Sequence, residues 1–143
     1  LVMASIVERE ARSAEDRAMV ARVFYNRLEQ GMPLQSDATT AYANNTTGRA
    51  ATTDAERALD SPYNTYHPST AGKLTPGPIS SPERSALEAA LAPAEGDWLF
   101  FVTVDLDTGE TKFTNTLDEH NAAVAELRAW CAASPENQKK CTG

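Results

Sequence analysis

Histidine and cysteine are scarce in this chain of 143 residues, which has two of each. His67 and His120 stand far apart, and Cys131 and Cys141 sit together near the C-terminal end. No spacing suits a zinc site, so no metal is expected. The chain also lacks a Gly-x-Ser-x-Gly elbow and a Gly-rich phosphate loop. Serine- or cysteine-nucleophile chemistry therefore has no support, and no cofactor is expected. No apolar run approaches bilayer-spanning length, and no signal-peptide pattern opens the chain. Basic residues are outnumbered, 13 Lys and Arg against 20 Asp and Glu, for a net charge of −7. That balance argues against a nucleic-acid partner and against adhesion to an anionic membrane. Lys139-Lys140 reads as part of a solvated tail.

The remaining composition is that of one compact soluble domain. The chain opens at Leu1-Val2-Met3, already on an apolar helix face, as an excised domain would. Met3, Ile6 and Val7 mark a first helix over residues 2–11, broken at Arg12-Ser13. Ser13 then caps a second amphipathic helix through Met19, Val20, Val23, Phe24 and Leu28, which stops at Gly31. Residues 32–51 show no clear period. Thr53 with Glu56 forms a capping-box pattern before a short helix ending near Leu59. Prolines at 62, 68, 76, 78 and 82 make residues 60–81 a long ordered loop. A helix is expected from Ser81-Pro82 to about Leu91. Trp98–Val104 and Glu110–Thr114 read as a hairpin around an Asp105–Gly109 turn. Thr116 and Glu119 form a second capping box, opening a last helix with Leu117, Val124, Leu127 and Trp130. The whole is an α+β domain, mainly helical, with one small hairpin and a long Pro-rich ordered loop. The cysteines read as a disulfide tying down a short tail, which implies an oxidising, extracytoplasmic setting; two free thiols are the alternative.

Glu8 and Glu10 differ in setting. Residues two apart on a helix point about 200° from each other. Glu10 therefore falls among Met3, Ile6 and Val7, whereas Glu8 falls off that arc. A carboxylate on an apolar face is costly unless protonated, paired or chemically employed. Burial raises its pKa, which suits a general acid; pairing with Arg27 in the core is the structural alternative. The other acids are weaker candidates. Asp37 lies in a polar loop where turn capping is the default. Asp54, Glu56, Glu83 and Glu119 occupy helix starts, and Asp105 and Asp107 fit the hairpin turn. No second carboxylate clearly partners Glu10 as a retaining or inverting glycosidase requires. His67 and His120 read as solvated or packed histidines.

Six segments, in order, resemble the MltG/YceG-like endolytic murein transglycosylases. They are residues 3–10 (Met-Ala-Ser-Ile-Val-Glu-Arg-Glu), 23–28 (Val-Phe-Tyr-Asn-Arg-Leu), 31–37 (Gly-Met-Pro-Leu-Gln-Ser-Asp), 61–66 (Ser-Pro-Tyr-Asn-Thr-Tyr), 74–80 (Leu-Thr-Pro-Gly-Pro-Ile-Ser) and 113–121 (Phe-Thr-Asn-Thr-Leu-Asp-Glu-His-Asn). Ala38 and Thr75 replace prolines common in that family, and the stretch 67–73 is longer than in some members. The resemblance implies a catalytic domain over residues 1–133 with a tail at 134–143.

It also implies Glu10 as the acid/base, the residue that helix geometry selects independently, with Glu8 supporting it. The implied substrate is the peptidoglycan glycan strand, cut non-hydrolytically between N-acetylmuramic acid and N-acetylglucosamine. Gln35, Asp37, Tyr63, Asn64, Thr65 and Tyr66 are then expected to line the groove. Pro76, Gly77 and Ile79 would form a wall, and Asn115 and His120 would brace the site. Members of the family carry a membrane-spanning helix and a LysM-like region before this domain. The full-length protein is thus expected to be membrane-anchored at the extracytoplasmic face, with cell-wall synthases as partners. A muramidase using water, with Asp37 as second carboxylate, is the enzymatic alternative. A non-catalytic peptidoglycan-binding or divisome interaction module is the other.

Overall fold

The computed structural model describes residues 1–47 and 52–142. The end of the aperiodic stretch (48–51) and Gly143 of the tail lie outside the described residues. Seven helices appear among the described residues: α1 (Val2–Glu10), α2 (Ala14–Glu29), α3 (Asp37–Asn44), α4 (Asp54–Arg57), α5 (Arg84–Leu91), α6 (Leu117–Ala132) and α7 (Pro135–Thr142). One antiparallel hairpin joins β1 (Phe100–Thr103) to β2 (Thr111–Thr114), and a 3₁₀ turn covers Pro68–Thr70. The α+β architecture is as expected.

The capping chemistry behaves as the residue types dictate. Ser13 accepts from the Asp16 N–H at 3.1 Å to start α2. Both capping boxes form, Thr53 with Glu56 on α4 and Thr116 with Glu119 on α6. Three expectations need correction. Residues 37–44 form α3, although no apolar period announces it. Its buried positions are Thr39, Thr40 and Ala41, and hydroxyl hydrogen bonds replace apolar packing. α5 begins at Arg84 rather than at Ser81-Pro82, because the segment before it is tied to α1: Ser80 Oγ donates to the Ser5 carbonyl at 2.9 Å, and the Glu83 N–H to Glu8 at 3.2 Å. The tail is helical (α7), pinned to α6 by a Cys131–Cys141 disulfide with a Cα separation of 6.1 Å. Lys140 contacts Asp107 in the hairpin turn, so it is not simply solvated.

The core gathers Met3, Ile6 and Val7 of α1, Val20, Ala21 and Phe24 of α2, Leu34, and Ala89 of α5. Phe101 and Phe113 of the hairpin close one side, with Phe24 meeting Phe101 edge-on at 5.7 Å. Burial of each large side chain here contributes about 1.5–3 kcal/mol. The polar half of α2 then staples the end of α5 and the chain that runs from it to β1. Arg22, Tyr25, Asn26 and Arg27 donate to the carbonyls of Ala94, Ala90, Gly96 with Trp98, and Leu99 respectively. The segment Val23–Leu28 thus serves two surfaces at once. At the far end of α1, buried Arg17 binds the Ala11 carbonyl, Ser85, Glu83 and Glu8, locking α1, α2 and α5 together.

Candidate active site

Glu10 ends α1 and meets the start of α3. Ser36 is the N-cap of α3, yet its side chain makes no capping bond to its own helix. Its hydroxyl instead donates to Glu10 Oε1. The same oxygen accepts, at a long 3.4 Å, the N–H of Ala38 in the first turn of α3. A glutamate from one helix therefore caps another. Among the described residues no hydrogen bond engages Oε2, so one oxygen is anchored and the other is available.

The pKa of Glu10 is raised. Burial is the largest cause, and the neighbouring Asp37 charge adds to it. The Ser36 hydroxyl, the Ala38 N–H and the more distant Arg27 pull the other way without overcoming burial. Arg27 does not form the alternative ion pair: its guanidinium donates to the Leu99 carbonyl at 2.6 Å and the Leu34 carbonyl at 2.5 Å.

Asp37 is the first residue of α3, not a loop capper. Its Oδ1 accepts from Thr52 Oγ1 at 2.5 Å and from Arg57 Nη2 at 3.2 Å. The Arg57 guanidinium lies 4.4 Å above the Tyr66 ring. Burial pushes the Tyr66 hydroxyl well above the usual phenol range, helped by the charges of Asp37 and Glu10. Glu10, Asp37, Arg57 and Tyr66 thus form one electrostatic cluster, drawn from α1, α3, α4 and the long loop.

Asn64 and Thr65 were expected in the groove, but both are wholly buried. Asn64 Nδ2 donates to the carbonyls of Arg57 and Leu59, and its Oδ1 accepts from Thr40 at 2.8 Å. Thr65 Oγ1 accepts the Ser36 N–H at 2.8 Å and lies 2.7 Å from Thr39 Oγ1. They hold the wall from behind rather than face a ligand. Gln35 is exposed, in a left-handed conformation with φ 55°, which turns the chain into α3. Tyr63 is half-buried and pairs with Tyr42 of α3 at a ring distance of 5.1 Å.

The turn at 75–80 is fixed by Thr75 donating to the Gly77 carbonyl at 2.8 Å, and by Ser5 Oγ accepting the Ile79 N–H at 3.0 Å. A Cβ on Gly77 would stand 3.1 Å from the Tyr63 hydroxyl, a tight contact to which the tyrosine ring would have to yield by a few tenths of an ångström. Ile79 packs on the core, leaving exposed Pro76 and half-buried Gly77 as the outward part of the turn. A hollow of about 330 Å³ lies beyond Pro76, lined by residues such as Asp60, Pro62 and Lys73; it does not include Glu10.

Asn115 is exposed between β2 and α6. His120 stacks on Phe100 at 5.1 Å, and Phe100 in turn underlies Arg27 at 5.3 Å. Its link to Glu10 runs through Arg27, and burial lowers its pKa. Glu8 points the other way, 3.3 Å from Arg17, so the two glutamates serve different clusters. Sequence reasoning singled out none of Ser36, Tyr42, Thr52 and Arg57 as site residues. Ser36 alone carried a signal, lying in the 31–37 segment of the resemblance and being a residue type that starts helices.

The fold and site together define an α+β domain organised around one sheltered, polarised glutamate. Residues 1–126 match the YceG-like family. Over 124 residues the chain is 48% identical to an endolytic murein transglycosylase of Bacillus subtilis (strain 168), covering 86% of this chain and 32% of that protein. Over 130 residues it is 39% identical to the protein of the same name from Streptococcus pneumoniae serotype 2 (strain D39 / NCTC 7466), covering 88% and 23%. It also aligns with the 2.6 Å crystal structure of a yceG-like protein from Listeria monocytogenes, with a TM-score of 0.76 and 45% identity, over 85% of this chain and 38% of that one. The chain belongs to the YceG-like family. It spans a third or less of the length of these curated relatives, and α7 lies beyond the matched residues.

Proposed function

We propose that this chain is the catalytic part of an endolytic peptidoglycan lytic transglycosylase, with Glu10 as its general acid/base. The single observation that carries this reading is the state of Glu10: desolvated, with raised pKa, anchored through Oε1 and unengaged at Oε2. In the first step protonated Glu10 gives its proton, from Oε2, to the glycosidic oxygen leaving the muramic acid. The C1–O bond breaks and its electron pair stays with the leaving oxygen. The muramic acid's own C6 hydroxyl attacks C1, and its proton passes to the Glu10 carboxylate. A 1,6-anhydro ring results and Glu10 is regenerated. One carboxyl group serves both steps, and the intramolecular nucleophile has a high effective concentration.

Ser36 and the Ala38 N–H support the anion at mid-reaction, as the partial positive charge of a helix N-terminus does. Gln35, Tyr63, Tyr66 and the Pro76-Gly77 edge are the contacts offered to the sugars. Tyr42, which is 40% exposed and paired with Tyr63, adds a ring face on which a pyranose can stack. The homologues' names support murein as the substrate class. For the full-length protein the same reading proposes activity at the cell wall, together with a membrane anchor and cell-wall synthases as partners; the Cys131–Cys141 disulfide suits an oxidising setting.

The test is mass spectrometry of uncrosslinked glycan strands after incubation with the chain and with Glu10→Gln. Anhydromuramyl ends from the unmodified chain alone are expected. Reducing ends would move the assignment to a hydrolase, and unimpaired cleavage by Glu10→Gln would refute the role of Glu10.

A further inference from the structure

Breaking a glycosidic bond leaves positive charge on the anomeric carbon in the transition state. Glu10 answers the leaving oxygen, and the attacking hydroxyl is neutral, so neither is a standing counter-charge for C1. We propose that Asp37 supplies it, as a fixed carboxylate held in place by Arg57 and Thr52 and presented to the anomeric centre beside Glu10. This inference rests on the glycan-cleaving reading above and adds a second catalytic residue to it.

The placement of Asp37 is specific. It lies between Ser36 and Ala38, the two residues whose polar groups hold Glu10. Its backbone is fixed by the start of α3, where a negative charge is favourable. Its Oδ1 carries the ties to Thr52 and Arg57, while 37% of the side chain stays exposed. Arg57 is not a loose surface partner. Its Nε donates to Thr52 Oγ1 at 2.8 Å, its guanidinium rests on the Tyr66 ring, and its carbonyl accepts from buried Asn64 at 2.8 Å. An ion pair between freely moving side chains contributes little. One braced by Thr52 and the Tyr66 ring, on a backbone that Asn64 holds, pre-organises a charge, which is how electrostatic catalysis works.

The same arrangement accounts for the coupling of the site: the charge that steadies C1 keeps Glu10 protonated until the leaving oxygen takes the proton. The other charged or titratable groups facing Glu10 are Arg27 from α2 and Tyr66 from the loop.

The deciding experiment compares two ligands by calorimetry, on the unmodified chain, Asp37→Asn and Asp37→Glu. One ligand is a muramyl-type iminosugar with a protonated ring nitrogen, mimicking the cationic transition state. The other is its neutral lactam. Asp37→Asn is expected to weaken the cation on the order of ten- to hundredfold while leaving the lactam within about twofold; Asp37→Glu restores part of the difference. In turnover, Asp37→Asn lowers kcat with little change in KM, and shifts the alkaline limb of the rate profile to lower pH, because Glu10 loses a negative neighbour. Equal weakening of both ligands, or no preference for the cation in the unmodified chain, overturns the proposal. The ligand contrast does not depend on product chemistry. Reducing ends from the unmodified chain would therefore sink the lytic reading while leaving the counter-charge standing.

Discussion

Replacing Glu8 and Glu10 separately by Gln separates a structural carboxylate from the proposed chemical one, because only the first substitution is expected to lower stability. Glu8 faces Arg17 at 3.3 Å, with 15% and 7% of the two side chains exposed, and it accepts the Glu83 N–H at 3.2 Å. Glu8→Gln leaves buried Arg17 with only Glu83, which is 72% exposed, as a carboxylate partner. A hydrogen bond to a charged group contributes about 1.5–3 kcal/mol, so a loss near 2 kcal/mol is expected. For a chain of this size that lowers Tm by roughly 6–8 °C.

Glu10→Gln carries no such loss. The folded-state pKa of Glu10 is raised, so the folded chain binds more protons than the unfolded one above about pH 4.5. Stability conferred by the protonated form is therefore lost as pH rises through the folded pKa. At neutral pH a neutral glutamine removes that cost, and Tm rises or holds. Calorimetric melts at pH 5 and pH 7.5, with strand cleavage measured well below both midpoints, read both effects. A Glu8→Gln protein that is folded but inactive would refute the division of labour; so would a Glu10→Gln protein that melts several degrees lower at pH 7.5.

Three further outcomes follow from the geometry. Ser36→Ala removes a donor that favours the Glu10 anion. The alkaline limb of the rate profile is expected to move to higher pH, with kcat down about tenfold or more, a charged hydrogen bond being about 1.5–3 kcal/mol; an unmoved profile counts against the contact. Tyr42→Ala removes a stacking face without touching Glu10, so KM for glycan strands should rise several-fold while kcat holds, as steady-state kinetics would show. Reducing Cys131–Cys141 releases a short loop whose closure is worth about 3 kcal/mol. Because α7 packs mainly on α6, hydrogen exchange should quicken in α7 while Glu10 chemistry is unaffected; loss of activity on reduction would contradict this.

Much of the architecture could be read because it depends on local chemistry. The caps at Ser13, Thr53 and Thr116, the apolar stripe of α1 and the hairpin each leave a pattern in consecutive residues. Glu10 stood out for the same reason, as a charge on an apolar arc. α3 was illegible because Thr39, Thr40 and Ala41 form its buried face, and its polar contacts, such as Thr40 to Asn64, come from residues distant in sequence. α7 was hidden by its polar composition, being fixed by a disulfide rather than by an apolar face. The partners of Glu10 and Asp37 were hidden for a related reason: Ser36, Thr52 and Arg57 gain meaning only when α1, α3 and α4 converge. Asn64 and Thr65 sit within a segment that carries the resemblance, which marked them as important without telling a wall from its backing.

That Glu10 closes the open end of a helix it does not belong to has an engineering corollary. Transplanting the acid onto another scaffold as a single residue, or with α1 alone, would deliver an ordinary solvated glutamate. The smallest portable unit is discontinuous: α1, the stretch 34–44, and the 61–66 loop that seats Ser36 through Thr65. A design that reproduces the raised pKa of Glu10 would have to carry all three pieces in register.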